Sequence, residues 1–327
     1  MSRRRVLSGI QPTGAGKHLG NYLGAVRHWA QMQDENECFF FLADLHALTV
    51  SPDPAVLRTR THELTAELLA MGVDPSRSTL FAQSHVRVHT ELAWVLECLT
   101  GFGEANRMTQ FKETGGGNLG LFNYPVLQAA DILMYQANAV PVGEDQQQHL
   151  ELTRDLAQRF NGRYGETFTV PDPYVQKAAQ RIKDLQDPTA KMSTSKGGPG
   201  TLLVIEDDKA TLKKIKSAVT DTGREVTYDV ETKPGISNLL TILSVATGET
   251  VEALEKTYDG KGYGDFKADV ADAVLAMFAP IRATYAALIA DKGQLDVVLR
   301  EGADKAREVA EGTMAQVRDR IGLLAPG

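Results

Sequence analysis

Val6-Leu7-Ser8-Gly9-Ile10-Gln11-Pro12-Thr13-Gly14-Ala15-Gly16-Lys17-His18-Leu19-Gly20-Asn21 is an apolar run, a glycine-rich loop and the opening of a helix. Val6-Leu7 predicts a first strand and residues 11–16 a loop, after which Leu19, Tyr22, Leu23, Val26 and Ala30 recur at helical spacing. A helix opened this way offers free N–H groups and partial positive charge to phosphate. The glycines invite two nucleotide-loop readings, and spacing rejects both. A Walker A loop requires a glycine where Gln11 stands and Ser or Thr where His18 stands. A dinucleotide fingerprint requires its third glycine one residue earlier than Gly20 and an acidic partner that the following helix does not supply. What remains is His18-Leu19-Gly20-Asn21: a histidine able to donate to a phosphoryl oxygen, and a glycine that admits a nucleotide base close to the backbone.

Working outward, Cys38 to Leu42 predicts a second strand, and Asp53-Pro54, an N-cap with proline at N1, opens a helix carrying Leu57, Leu64, Leu68 and Met71. Thr79 to Gln83 predicts a third strand, Pro125 starts a helix to about Gln136, and Ala139 to Val142 a further strand running into Gly143-Glu144-Asp145. Strands alternating with helices predict an α/β fold with a parallel sheet. After about residue 200 helical patterns take over, at Ala210 to Val219, Ser237 to Thr247 and Lys267 to Ile289, and predict a helical second domain. Met192 to Gly200, rich in Ser, Thr, Gly and Lys, reads as the loop at the junction.

The bulk properties narrow the function. A chain of 327 residues, 43% hydrophobic and 24% charged, is long enough for a large core and is neither disordered nor fibrous. Its net charge of −7 means that a nucleic-acid partner would be held by local basic patches. Cys38 and Cys98 have no CxxC spacing, which argues against a structural zinc or a disulfide framework and fits a reducing cytoplasm. Arg3-Arg4-Arg5 is followed by too short an apolar run for a signal peptide, and the densest apolar run, Cys38 to Ala43, falls far short of a membrane span.

Two further groups carry chemistry. Lys191-Met192-Ser193-Thr194-Ser195 places a lysine on the glycine-flanked loop, where it can follow charge onto a leaving pyrophosphate. In the helix assigned to Pro125, Tyr124, Gln128, Asp131 and Tyr135 fall at i, i+4, i+7 and i+11, a polar stripe on an otherwise apolar surface. A carboxylate there needs a donor, and an indole N–H is a donor only.

His18-Leu19-Gly20-Asn21 followed by Lys191 to Ser195 resembles the two signatures of class I aminoacyl-tRNA synthetases. The resemblance extends over nearly the whole chain to the tryptophanyl branch through Ser8 to Gly14, Arg107 to Lys112, Ala129 to Leu133, Pro141 to Gln146 and Lys233 to Leu240. It implies a Rossmann-like catalytic domain at 1–190, the signature loop and an anticodon-binding helical domain at 191–284, and C-terminal helices at 285–327 packing back on the catalytic domain. It implies activation of L-tryptophan with ATP and Mg2+, without structural metal, then transfer to tRNA(Trp), by a cytoplasmic homodimer. Residue by residue, it carries catalytic roles to His18, Asn21, Lys191 and Ser193, and Lys196 is expected to join them. ATP contacts fall to Gln11, Pro12, Thr13, Gly20, Asn21, Gly143, Glu144, Asp145, Ile182, Lys191, Met192, Ser193, Thr194 and Ser195. Tryptophan contacts fall to Asp131 at the indole N–H, Tyr124 and Gln146 at the ammonium, and His46, Gln128 and Val142. Attack of an already ionised carboxylate on the α-phosphate requires no general base, so the protein positions reactants and stabilises charge.

The pattern departs at Thr194 and Thr114, where relatives often carry lysine, and Lys196 stands close enough in sequence to replace the first. Leu45 and Gln128 differ beside the amino-acid pocket. The alternative reading is a non-catalytic paralogue that binds tryptophan or tRNA as a regulatory module; intact His18, Asn21, Lys191 and Asp131 count against it. His85 and His89, at i and i+4, read as surface or interface residues, and Lys209, Lys213 and Lys216 as a basic stripe either facing tRNA or merely solvated.

Overall fold

The parallel sheet expected from the sequence is present in the computed structural model, which describes residues 3–14, 16–108, 117–141, 143, 146–174, 182–193 and 198–324. Its strands are β1 (Arg5–Ile10), β2 (Glu37–Leu42), β3 (Thr79–Ala82), β4 (Ala139–Pro141) and β5 (Asp172–Tyr174), ordered β3-β2-β1-β4-β5 and all parallel. Alternate side chains leave opposite faces. Val6, Phe40, Leu42 and Leu80 enter one core with Leu64, Leu68 and the later helices; Leu7, Phe39, Phe41 and Phe81 enter the other with Leu92, Leu133 and Phe160. Burial on both faces is why Cys38 to Leu42 reads as an unbroken apolar run, and each Phe contributes about 2 kcal/mol or more by burial. Strand order reverses between β1 and β4, which opens a crevice at their carboxyl ends, the place where such sheets bind ligands.

The Pro54–Ala70 helix begins as read, with the Asp53 carboxylate accepting from Ala55 N at 2.8 Å and Val56 N at 3.0 Å. The helix assigned to Pro125 is longer and starts earlier: it spans Leu119–Met134, is capped by Asn118, and keeps Pro125 inside it. The edge strand β5 escaped the reading because it is three residues long and contains Pro173, which an edge tolerates. The predicted strand end at Val142 lies outside the described residues.

Helices Asp208–Lys216, Pro234–Thr247, Val251–Thr257 and Tyr263–Ala290 form the later part, and the expected boundary at 284/285 falls inside the last of them. By length and composition Tyr263–Ala290 would suffice to cross a membrane, contrary to the expectation from the apolar runs; its Phe266, Val270, Val274 and Phe278 lie in the core. Lys292–Ile321 returns to the sheet and packs on β3 so closely that a Cβ at Gly302 would stand 1.8 Å from the Leu80 carbonyl oxygen.

Candidate active site

A cleft of about 340 Å³ opens at the carboxyl ends of β1 and β4, within the range of small-molecule sites. Leu7, Ser8, Gly9 and Gln11 line one side and Val140, Pro141 and Gln146 the other; His46, Tyr124, Gln128 and Asp131 close it. Gly9 keeps it open, since a Cβ there would stand 2.4 Å from the Phe41 ring.

At the floor, Asp131 is fully buried and already holds three protein donors. Its Oδ1 faces Gln83 Nε2 at 2.7 Å and His89 Nδ1 at 2.6 Å, and its Oδ2 faces His46 Nε2 at 2.7 Å. Burial pushes this carboxyl up, but the hydrogen bonds and charge of His46 and His89 outweigh it and hold it below the usual range. The donor that the sequence reading required is therefore supplied largely by the protein. An ionised carboxylate has about four acceptor positions, so one on Oδ2 is left for a ligand N–H.

His89 is fully buried, and its Nε2 faces the Tyr135 hydroxyl at 2.7 Å, which overturns its reading as a surface or interface residue; His85 is exposed, in keeping with that reading. Gln83 and His89 were missed as site residues. The one signal was position: Gln83 directly follows a strand end, where candidate residues collect.

Further along the polar stripe, the Tyr124 hydroxyl and His149 Nε2 are 2.8 Å apart, His149 Nδ1 and Gln146 Oε1 3.1 Å, and Gln128 Nε2 donates to Gln146 Oε1 at 3.3 Å. His149, also unanticipated, thus ties together the two residues expected at the ammonium group.

His18 caps the short turn Leu19–Asn21 reciprocally: its Nδ1 accepts from Asn21 N at 3.2 Å, and Asn21 Oδ1 accepts from His18 N at 3.3 Å. Gly20 makes room for the ring, because a Cβ there would lie 2.9 Å from His18 Cε1. With Nδ1 accepting, the proton of the neutral ring sits on Nε2. Burial, then the charges of Lys191 and Lys17, push the His18 pKa down to about 4, so the ring is neutral at pH 7. A five-residue π turn, Tyr22–Val26, follows and leads into the Arg27–Met32 helix.

The signature loop is anchored at both ends. Lys183 and Lys191 form an antiparallel bridge, Met192 N donates to Ile182 O at 3.3 Å, and Thr201 Oγ1 donates to Ser193 O at 2.9 Å. Ile182 and Met192 bury their side chains in the core, while Lys191 is exposed and close enough to act on His18. The structure thus brings His18, Asn21 and Lys191 together, apart from the cleft residues Asp131, Tyr124, Gln128, Gln146 and His46. Gln11 is exposed, Pro12 buried and Thr13 half-buried on the first loop, and Gly143 is exposed at the end of β4. Val142, Glu144, Asp145, Thr194, Ser195 and Lys196 lie outside the described residues, as does Thr114. Lys209, Lys213 and Lys216 are exposed.

Residues 1–279 match the family model of class I tRNA synthetases for tryptophan and tyrosine, and the chain belongs to that family. Within it, the chain is 56% identical to the "Tryptophan--tRNA ligase 2" of Streptomyces avermitilis, with 98% of each covered, and 54% identical to the tryptophan–tRNA ligase of Corynebacterium glutamicum, with 98% and 95% covered. The crystal structure of tryptophanyl-tRNA synthetase from Campylobacter jejuni with ADP and tryptophan superposes with a TM-score of 0.87, at 35% identity, covering 98% of this chain and all of that one.

Proposed function

We infer that this chain is a tryptophan–tRNA ligase, which joins tryptophan and ATP into tryptophanyl-adenylate with release of pyrophosphate and then transfers tryptophan to tRNA(Trp). The observation that carries the reading is the Asp131 floor: a carboxylate held ionised by three protein donors, lining the cleft with one acceptor position to spare by count. Such a site favours a ligand N–H that only donates, and the indole supplies it. We assign His46 and Gln128 to the indole ring and Tyr124 and Gln146 to the ammonium group, all four of which line the cleft.

ATP fits the other half. The neutral His18 donates from Nε2 to a phosphoryl oxygen, Asn21 fixes that ring, and Gly20 lets the base approach. Gln11, Pro12, Thr13 and Gly143 are assigned to the nucleotide, with Glu144 and Asp145 by resemblance. Lys191, Ser193 and the loop to Lys196 follow the charge that builds on pyrophosphate; Lys196 takes over from the lysine missing at Thr194. Mg2+ belongs with the ATP phosphates. Residues 1–190 are assigned to catalysis, 191–284 to the loop and anticodon recognition, and 285–327 to packing on the catalytic part, in the cytoplasm.

The homodimer is supported by an apolar groove in which Leu48, Trp94 and Leu119 are 53%, 67% and 79% exposed, bordered by Leu45, Leu127 and the same Tyr124 that lines the cleft. Trp94→Glu should convert a dimer sedimenting as two chains into a monomer, and an unchanged sedimentation coefficient rejects the groove as the interface.

Tryptophan-dependent ATP–pyrophosphate exchange, run beside tyrosine and followed by charging of tRNA(Trp), tests the function. Exchange with tryptophan alone and charging of that tRNA is the expected result. Binding of tryptophan without exchange would instead establish the regulatory paralogue.

A further inference from the structure

The turn that carries His18 rests on buried charges that neither substrate site uses. Lys17 and Glu67 are both buried, Glu67 on the Pro54–Ala70 helix. The Glu67 carboxylate lies under the turn: Gly16 has φ +103°, a Cβ there would meet Glu67 Oε1 at 3.4 Å, and the Lys17 backbone N–H lies near the same carboxylate. Arg60 Nη2 stands 3.8 Å from Glu67 Oε1, and Arg60 also pairs with Glu63. Arg60 Nε, Arg60 Nη2 and Glu67 Oε2 are buried without a hydrogen-bond partner among the described residues. The groups facing this cluster are Tyr285 from the Tyr263–Ala290 helix and His18 from the turn itself, which Lys191 faces in its turn.

Buried, imperfectly paired charges stabilise a fold little, and apolar residues of equal volume commonly do as well. What this cluster does provide is a fixed height for the turn. On its other side the turn is tied to the segment after the signature loop, with Val204 N donating to Lys17 O and Leu19 N to Leu202 O, both at 2.9 Å. The turn before His18 is therefore clamped between an anion beneath and a backbone ladder beside it.

We propose that Glu67 is a positioning residue for the nucleotide step: its carboxylate, seated under Gly16 and Lys17, holds the turn that aims the His18 Nε2–H at the phosphates. The proposal rests on the reading of His18 as an ATP contact. Glu67 reaches no substrate and acts only through the Gly16–Lys17 backbone and the Lys17 charge. Replacing it by glutamine leaves Lys17 as an unopposed buried cation, which should tilt the turn. Removing both charges, in Lys17→Met/Glu67→Gln, leaves the Arg60–Glu63 pair balanced and an amide oxygen still able to accept from the backbone.

Exchange kinetics on the full-length protein decide it. Glu67→Gln should raise KM for ATP about tenfold or more with KM for tryptophan within twofold, and Lys17→Met/Glu67→Gln should bring KM for ATP back to within about threefold of the parent. If Glu67→Gln does not accumulate folded, Glu67→Asp takes its place, with a rise of about threefold or more expected for ATP alone. Three results would overturn the proposal: ATP kinetics unchanged within twofold in these variants, a double variant no better than the single one, or equal losses for both substrates. His18→Gln run alongside separates the two readings. Unchanged ATP kinetics there would remove the ATP role of His18 itself, whereas a loss there with none in Glu67→Gln would remove only the role of Glu67.

Discussion

Gln83 Nε2 donates to Asp131 Oδ1 at 2.7 Å, across 48 positions of sequence, from the residue that follows β3 to the last turn of the Leu119–Met134 helix. With His89 on the same oxygen it leaves only Oδ2 to be shared between His46 and a ligand.

His89→Ala should therefore cost stability as well as affinity. A hydrogen bond to a buried charged group is worth about 1.5–3 kcal/mol, and the Tyr135 hydroxyl would lose its partner too. Urea unfolding should show a loss in that range, and kcat/KM for tryptophan should fall about tenfold while KM for ATP stays within twofold.

Gly20→Ala tests the cap. The added Cβ would press on His18 Cε1 at 2.9 Å and turn the ring off Asn21 N. A lost N-cap costs about 1 kcal/mol, and kcat/KM for ATP should fall about tenfold or more, because the phosphate donor moves with the ring. Unchanged exchange kinetics would show that the ring has another way to sit.

The depressed His18 pKa sets a pH signature. The folded state holds the ring neutral down to about pH 4, while the unfolded chain takes up its proton near 6.5, so stability from this group is complete above 6.5 and is lost as pH falls from 6.5 towards 4. The loss is on the order of 2 kcal/mol after discounting for partial solvent access. Urea unfolding at pH 7 and pH 4.5 should reveal a larger drop for the parent than for His18→Gln; equal drops would contradict it.

Much of this was legible in the sequence, and the omissions have physical causes. β2 was readable because two-sided burial writes a continuous apolar run, β1 only through Val6-Leu7 and the loop after it, and the Tyr124, Gln128, Asp131 stripe because helical periodicity survives even with Pro125 inside the helix. Gln83 and His89 were not, since only the packing of two separate segments brings them to Asp131. His85 and His89 looked like one helical face, but His85 ends a 3-10 turn, Val86 is extended, and the helix begins only at Val88. Lys17 and Glu67 were hidden for the same reason: a lysine in a glycine loop reads as solvated until the fold places a carboxylate beneath it.

The loop cations invite a double-mutant cycle. Lys196→Ala should slow adenylate formation by about tenfold in the parent and much less in the Thr194→Lys background, because the two cations would serve one site. Additive effects would leave Lys191 as the loop's working cation.

The most direct measurement compares tryptophan with 3-benzothienylalanine, in which sulfur replaces the indole N–H at nearly equal size. If the open acceptor position on Asp131 Oδ2 selects the substrate, kcat/KM in ATP–pyrophosphate exchange should be about a hundredfold or more higher for tryptophan, since a site built for a donor is left with an unpaired carboxylate when the donor is absent. Equal values for the two amino acids would contradict the account.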